Sequence, residues 1–373
     1  MTTPNPYTQQ PATAFWRSAV AERHILDIEN IWQPRFAIDK STRISTFGSC
    51  FAQHFGRELR KRGFDWVNGE IAPHAASEAL RKKFGYDLFS ARTGNIYTTS
   101  LLRQWLRWAL EDAAQPGEAW QANGRVYDPF RPAIEPDGFE SVAEMRKSRD
   151  VAVAALAHVV RHSDVFTFTL GLTECWRRVG GEVEYPICPG TSAGAFSAAK
   201  YEHVQQGFDE VWRNLRRAIT LLRRARPGLK ILLTVSPVPM TATATGDHVL
   251  VASTAAKSIL RAVADAATKR FDFVDYFPGY ELVSQPPARG MFYSANMRSV
   301  NAVGVEFVMQ TFLKSITPAP SAADEFIGAL GPPEPARNPL GAAPKLPQAE
   351  EMDALACEEE ILAAFGPDGG RDA

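Results

Sequence analysis

The stretch TFGSCFAQHF, Thr46–Phe55, decides how the folded part of the chain begins. A short apolar step leads into Gly-Ser-Cys, and the residues after it carry apolar side chains on one side and polar side chains on the other. This pattern predicts a strand, a tight turn and the start of a helix. The first turn of a helix leaves backbone N–H groups unpaired, so Ser49 and Cys50 would lie beside donors that favour a developing anion. The turn is a candidate nucleophile site, although small residues that merely let a helix pack closely on a strand would give the same pattern.

Strand and helix patterns alternate from about residue 43 to residue 316. Largely apolar runs predict buried strands within Asp164–Trp176, Leu229–Ser236 and Phe271–Tyr276, and amphipathic segments between them predict helices. The alternation indicates an α/β fold, a parallel sheet covered by helices on both faces. Ligands of such sheets bind at the carboxyl ends of the strands, so the loops that follow the strands are the informative ones.

Other stretches fall outside this alternation. Residues 1–42 are expected to form an N-terminal arm, residues 43–317 the α/β domain, and residues 318–373 a mostly disordered tail rich in Pro and Ala. Within the tail, residues 349–365 could form a short acidic helix, which would either dock a protein partner or fray. The excursion Gln115–Phe139 is too polar and broken to look like core structure, and is expected to be a lid, a substrate-facing flap or a structural insertion.

Composition excludes several classes of protein. The chain has 373 residues and a formal net charge of −1, which argues against binding to nucleic acid or to anionic membranes. It lacks an apolar run of about 18 residues, so no transmembrane helix is expected. Its four cysteines show neither CxxC pairing nor metal-ligand spacing, and its N-terminus has no apolar signal segment. We expect a cytoplasmic protein that needs no metal and no cofactor.

The loop Gly171-Leu172-Thr173-Glu174 follows a buried strand and is the second candidate site. Glycine at position 171 permits close approach of the backbone, Thr173 offers a hydroxyl donor, and Glu174 places a charge at the mouth of the strand. A helix cap with Glu in its first turn would look the same.

Histidine is the natural general base, and the chain has seven. His248 lies in the loop after the central strand, and His54 lies one turn past Cys50, so these two are the candidates. Three others, among them His203, fall in segments predicted to be helical and are expected to be surface or packing residues.

Several motifs together resemble one family. In chain order they are FGSCFAQHF, FSARTGNIYTT, VYDPFRPAIEP, FTLGLTECW, YPICPGT, LTVSPVPMTATATGDHVLVAS and NMRSVNAVGVEFVM. Over roughly Arg43–Lys314 the chain is similar to the GSCFA family, which is grouped with the SGNH (GDSL-like) hydrolases. The resemblance implies a flavodoxin-like three-layer α/β/α fold, and esterase or acyl-transfer chemistry on O-acyl groups that are often carbohydrate-linked in related branches.

The resemblance also implies roles for individual residues. The Gly-Asp-Ser block of the SGNH pattern falls on Gly48, Ser49 and Cys50, which makes Cys50 the candidate nucleophile and Ser49 the fallback. The Gly-x-Asn-Asp block, whose Asn helps to form the oxyanion hole, falls on 171–174, where Thr173 would take the donor role. A Cys in the nucleophile position would be chemically competent, because the thiolate is intrinsically reactive.

The last block of that pattern, Asp-x-x-His, falls on a segment where Asn296 and Ser299 replace both catalytic residues. Either His248 or His54 then serves as base, or the chain is not a hydrolase of the usual kind. Asn95, in the FSARTGNIYTT motif, is a further candidate for oxyanion or substrate binding.

Two functions follow from these residues. The first is an acyl-transfer enzyme, an esterase or O-acyltransferase acting on a small-molecule or glycan substrate. The alternative is a non-catalytic binding module of the same fold, for a glycan or an acyl carrier.

Overall fold

The computed structural model describes residues 5–317 and 358–366. The strands of the described residues are β1 (Ile44–Gly48), β2 (Trp120–Ala122), β3 (Arg125–Tyr127), β4 (Val165–Leu170), β5 (Glu174–Arg178), β6 (Glu184–Tyr185), β7 (Tyr201–Gln205), β8 (Lys230–Val235) and β9 (Val274–Tyr276). The α-helices are α1 (Phe51–Lys61), α2 (Glu78–Lys83), α3 (Thr99–Leu110), α4 (Val142–His162), α5 (Phe208–Ala225), α6 (Val249–Arg270), α7 (Gly279–Ser284) and α8 (Ala302–Ile316). The predicted strand–turn–helix at the opening motif is β1, its turn and α1.

The central sheet has the strand order β1-β4-β8-β9, and every neighbouring pair is parallel. Gly48 at the end of β1 lies opposite Thr169 of β4, which in turn lies opposite Thr234 of β8. The carboxyl ends of these strands therefore meet at one edge of the sheet. Both faces of the sheet are covered, which is why its strands read as nearly continuous apolar runs. The fold is the predicted three-layer α/β/α architecture.

Two apolar clusters form the outer layers of the core. On one face, α3, α4, α5 and α6 pack on side chains of the sheet such as Phe166 and Leu233. On the other face, α1, α7, α8 and part of the N-terminal arm pack on Ile44 and Leu232. Trp32 ties the arm to this second cluster, because its ring lies 5.5 Å from the ring of Phe312 in a stacked arrangement.

The excursion after α3 is part of the core, so the expectation that it is too polar for core structure is wrong. It contains the β2–β3 hairpin, and Asp128 and Arg131 are each 1% exposed. The Asp128 carboxylate lies 2.8 Å from Arg131 Nε and 2.7 Å from a terminal nitrogen of Arg149 on α4. Burial opposes the charged carboxylate, but the two guanidinium groups lower the pKa of Asp128. The charged residues are buried because they pair with one another, which composition alone does not reveal.

The small antiparallel sheet β6-β5-β7 extends from the end of β4. His203 lies on β7, so the prediction that it belongs to a helix is wrong. Of the acidic helix predicted at 349–365, residues 349–357 lie outside the described ones, and Glu358–Phe365 form a 3₁₀ helix. No helix in the described part of the chain combines the length and apolar character needed to span a bilayer.

Candidate functional site

The turn after β1 depends on glycine at position 48. Gly48 has φ +134°, and a Cβ there would lie 2.4 Å from the carbonyl oxygen of Thr169. Only glycine adopts this backbone conformation without strain and allows so close an approach to β4. The next residue continues the pairing, since the Ser49 N–H donates to the same Thr169 oxygen at 3.2 Å.

Ser49 and Cys50 both lie at the carboxyl edge of the sheet and are nearly buried, at 3% and 4% exposure. Cys50 occupies the N-cap of α1 and packs in the apolar cluster that also holds Phe51 and Phe277. The Ser49 Oγ is buried and makes no hydrogen bond to any described residue. A buried hydroxyl without a partner costs free energy, so it calls for an explanation, and a bound ligand or water molecule would supply one.

The loop after β4 lies directly against this turn. A Cβ on Gly171 would lie 2.9 Å from the Ser49 Cβ, so a larger residue would displace the candidate nucleophile. The N–H groups of Gly171 and Leu172 both donate to the carbonyl oxygen of Tyr97, at 3.1 and 2.9 Å. The Nζ of Lys257 on α6 donates to the carbonyl oxygen of Gly171 at 2.8 Å and holds the loop from the other side. Sequence reasoning missed Lys257, because a single lysine in a predicted helix carries no positional signal.

Thr173 and Glu174 continue this loop into β5. The Thr173 hydroxyl is fully buried and accepts a hydrogen bond from Gln205 Nε2 at 3.2 Å. The Glu174 carboxylate accepts from the Thr243 hydroxyl at 2.6 Å and lies 3.0 Å from His203 Nε2. Burial raises the pKa of Glu174, but hydrogen bonds from His203, Thr243 and a backbone N–H outweigh burial and lower it.

The Glu174–His203 pair is a feature that sequence reasoning did not find. A carboxylate that orients an imidazole is the arrangement that general bases use in hydrolases. The pair joins residues 29 positions apart through β5–β7 pairing. The signal that could have located it is the polar–apolar alternation of YEHVQ, which is typical of a strand.

The loop that carries Asn95 is the third element of the site. The Ile96 N–H donates to the carbonyl oxygen of Gly48 at 2.8 Å, which brings this loop to the nucleophile turn. The Asn95 side chain is 1% exposed, and its Oδ1 accepts from Gln53 Nε2 of α1 at 3.1 Å. The structure thus places Asn95 beside the turn, and its role in oxyanion or substrate binding stays a prediction.

The Asn95 Nδ2 and the Tyr97 hydroxyl point to one place, since both donate to the carboxylate oxygen Oε2 of Glu358. The Tyr97 bond is 2.9 Å long. Two neutral donors therefore converge on a single oxygen next to the candidate nucleophile turn. Neither Tyr97 nor Glu358 was singled out from the sequence.

His54 is 2% exposed and lies edge-on to Phe51 in the core, with ring centroids 6.0 Å apart. Its Nδ1 lies 2.8 Å from a guanidinium nitrogen of Arg57, and its Nε2 makes no hydrogen bond to a described residue. Burial and the nearby cations Arg57 and Lys61 lower the pKa of His54 to about 3. The imidazole is neutral at physiological pH and is a weak base.

His248 is exposed and caps α6, because its Nδ1 accepts a hydrogen bond from the Leu250 N–H at 3.2 Å. Among the described residues, no hydrogen bond joins His248 or His54 to the Ser49 side chain. The roles of both histidines as bases stay predictions.

The segment on which the resemblance places the Asp-x-x-His block forms a turn bonded to itself. The Asn296 Oδ1 accepts from the N–H groups of Arg298 and Ser299, both at 3.0 Å, and its Nδ2 donates to the Ser299 Oγ at 3.0 Å. The Arg298 Nε donates to the carbonyl oxygen of Pro239 at 3.1 Å. The segment supplies no imidazole or carboxylate at the edge of the sheet.

Within the described residues, no group of three or more His, Cys, Asp or Glu side chains is arranged to hold a metal ion. No curated protein matches the chain significantly. The model of the GSCFA family matches residues 43–312, which cover the whole central sheet and the three loops of the site. The chain belongs to the GSCFA family.

Proposed function

We propose that this protein is an acyl-transfer enzyme, an esterase or O-acyltransferase, that acts on an O-acylated small molecule or glycan. The observation that carries the proposal is the buried Ser49 hydroxyl, which has no hydrogen-bond partner among the described residues and lies against Gly171 at the carboxyl edge of the sheet. Ligands of parallel α/β sheets bind at this edge. The resemblance of the Gly48-Ser49-Cys50 block to the nucleophile block of the SGNH pattern is in keeping with the same chemistry.

In the proposed reaction, the nucleophile of the 49–50 turn attacks the carbonyl carbon of an ester. A covalent acyl intermediate forms, and the alcohol leaves with a proton. Water or a second alcohol then attacks the acyl carbon and releases the nucleophile with its proton restored. The oxyanion of each tetrahedral state would accept hydrogen bonds from N–H groups at the start of α1 and from the donors Asn95 and Tyr97.

Both side chains of the turn are candidates for the nucleophile. The resemblance places Cys50 at the position of the nucleophilic Ser of the SGNH pattern, and it occupies the N-cap of α1, beside backbone N–H groups that stabilise a developing anion. Ser49 has the unpaired hydroxyl and the contact with Gly171. For the proton, we add the Glu174–His203 pair to the candidates His248 and His54, because a carboxylate orients this imidazole at 3.0 Å.

A second candidate function, a non-catalytic binding module, is favoured by the segment before α8. There the positions of the usual catalytic Asp and His hold a self-bonded Asn296–Ser299 turn. This module would bind the same acylated ligand without turning it over. We place either form in the cytoplasm, since Cys175 and Cys188 form no disulfide among the described residues, as a reducing compartment would keep them.

Hydrolysis of p-nitrophenyl acetate tests the proposal. Ser49→Ala or Cys50→Ala, whichever removes the nucleophile, is expected to lower kcat/KM by roughly 10³-fold or more. Ser315→Ala, a change of the same type on α8, is the matched control and is expected to leave the rate unchanged. A wild-type rate in both turn variants would refute the site, and absence of turnover with tight binding of an acylated ligand would favour the binding module.

A further inference from the structure

Residues 358–366 lie on the same edge of the sheet as the candidate site. The Oε2 of Glu358 accepts from the Asn95 Nδ2 and from the Tyr97 hydroxyl. The other carboxylate oxygen, Oε1, lies 3.3 Å from the position that a Cβ on Gly94 would occupy. The carboxyl group therefore lies against a residue without a side chain and accepts hydrogen bonds from two donors. These contacts are the ones that a small carboxyl-binding pocket would make.

A second contact holds the segment in place. The Glu360 carboxylate lies 3.3 Å from a guanidinium nitrogen of Arg298, whose side chain is 13% exposed. Arg298 belongs to the loop before α8 and also bonds to the carbonyl oxygen of Pro239 in the loop after β8. The segment thus contacts two loops from different parts of the chain, the loop 94–97 and the loop before α8, and Arg298 links the second of these to the loop after β8.

We propose that residues 358–366 are an internal occupant of the candidate site, with Glu358 filling a carboxyl-binding pocket formed by Asn95 and Tyr97. While the segment is docked, it excludes substrate from the oxygen-binding position beside Ser49. This inference rests on the proposed function, because it concerns the regulation of the same site.

The chemistry of the pocket indicates what would displace the segment. Both donors are neutral, so the pocket suits an uncharged acyl or carboxyl group at least as well as a carboxylate. Burial raises the pKa of Glu358, although the hydrogen bonds from Asn95 and Tyr97 act in the opposite direction. A docked carboxyl group resembles the acid that ester hydrolysis releases. Because a tethered group has an effective concentration on the order of millimolar, a free carboxylic acid would compete only at comparable concentration.

Hydrogen–deuterium exchange on the full chain tests occupancy without relying on catalysis. The amides of 358–366 are expected to be protected in the wild type and to exchange faster in Glu358→Ala, together with those of 94–97. Glu111→Ala, which removes an exposed carboxylate on the C-cap of α3, is the control and should leave both segments unchanged. Absence of protection in the wild type, or protection that Glu358→Ala does not reduce, would overturn the proposal. Acetate at high millimolar concentration should reproduce the effect of Glu358→Ala in the wild type, and failure to do so would overturn the assignment of a carboxyl pocket.

Ester hydrolysis separates this inference from the proposed function. If the docked segment closes the site, Glu358→Ala should raise kcat/KM for p-nitrophenyl acetate by about fivefold or more, the effect of losing one to two net hydrogen bonds. Protection that is lost in Glu358→Ala without any gain in rate would refute closure of the site. If neither the wild type nor Glu358→Ala hydrolyses the ester, the acyl-transfer proposal fails, and the exchange experiment alone decides occupancy.

Discussion

The buried imidazole of His54 makes stability depend on pH in a way that can be calculated. The ring is 2% exposed and lies close to the guanidinium of Arg57. Burial and the neighbouring cations lower its pKa from 6.5 to about 3. Between these two values the unfolded chain binds a proton at His54 and the folded chain does not. The free energy of unfolding must therefore fall as pH falls from about 6.5 towards about 3.

The size of the effect follows from the shift of the pKa. Each unit is worth about 1.4 kcal/mol of difference between the two protonation states. A pH of about 5 lies about 1.5 units below the pKa of the unfolded His54, which is then mostly protonated, whereas the folded His54 is still neutral. The contribution of His54 to the free energy of unfolding is therefore lower by about 2 kcal/mol than at neutral pH. The full shift corresponds to about 5 kcal/mol, reached only below pH 3, where other groups also titrate.

The variant His54→Gln keeps a polar side chain that does not titrate. Urea unfolding of wild type and variant at about pH 7.5 and about pH 5 measures the difference that belongs to His54. We expect the wild type to lose about 2 kcal/mol more than the variant over this interval. His74→Gln, at an exposed position, is the control and should behave as the wild type does. Equal losses in the wild type and His54→Gln would show that the imidazole is not buried in its neutral form, and would restore His54 as a base that titrates near neutral pH.

Two further predictions concern the framework of the site. Asp128→Asn leaves two buried guanidinium groups without their carboxylate and should lower the free energy of unfolding by about 3–5 kcal/mol. The control Asp137→Asn removes a charge from an exposed ion pair and should cost less than about 1 kcal/mol in the same urea titration. Equal losses in the two variants would contradict the buried network. Gly48→Ala should prevent stable folding, because the new Cβ would lie 2.4 Å from the carbonyl oxygen of Thr169. The control Gly124→Ala has nothing within 4 Å of the new Cβ and should cost only about 1 kcal/mol for its positive φ. Similar circular dichroism melting curves for the two variants would refute the close approach of β1 and β4.

The parts of the fold that the sequence predicts are those encoded by local periodicity. Strands β4 and β8 read as largely apolar runs because both faces of the sheet are covered, and the long helix α5 between them shows amphipathic spacing. The glycines at 48 and 171 mark turns at strand ends. From these features alone the α/β class follows, as does the edge of the sheet at which the candidate site is expected.

Local periodicity does not reveal pairs that form across the chain. The prediction of a helix at His203 fails because its strand is short and half polar, and its partner Glu174 lies on another strand of a small sheet. The excursion 115–139 looked too polar for a core because its charges are neutralised only when Asp128 meets an arginine of α4. In both cases the deciding interaction joins residues that no sequence window contains.

The sequence by itself determined the alternation of the central strands with the long helices, the turn that presents Ser49 and Cys50, and the resemblance to the family. The tertiary structure alone decided what surrounds that turn: Gly171 against Ser49, Lys257 on the Gly171 carbonyl, and Glu358 on Asn95 and Tyr97. The physical reason is distance along the chain. Helix and strand propensities act over a few residues, whereas Asn95 and Glu358 are 263 positions apart and meet only because the folded sheet brings their loops to one edge.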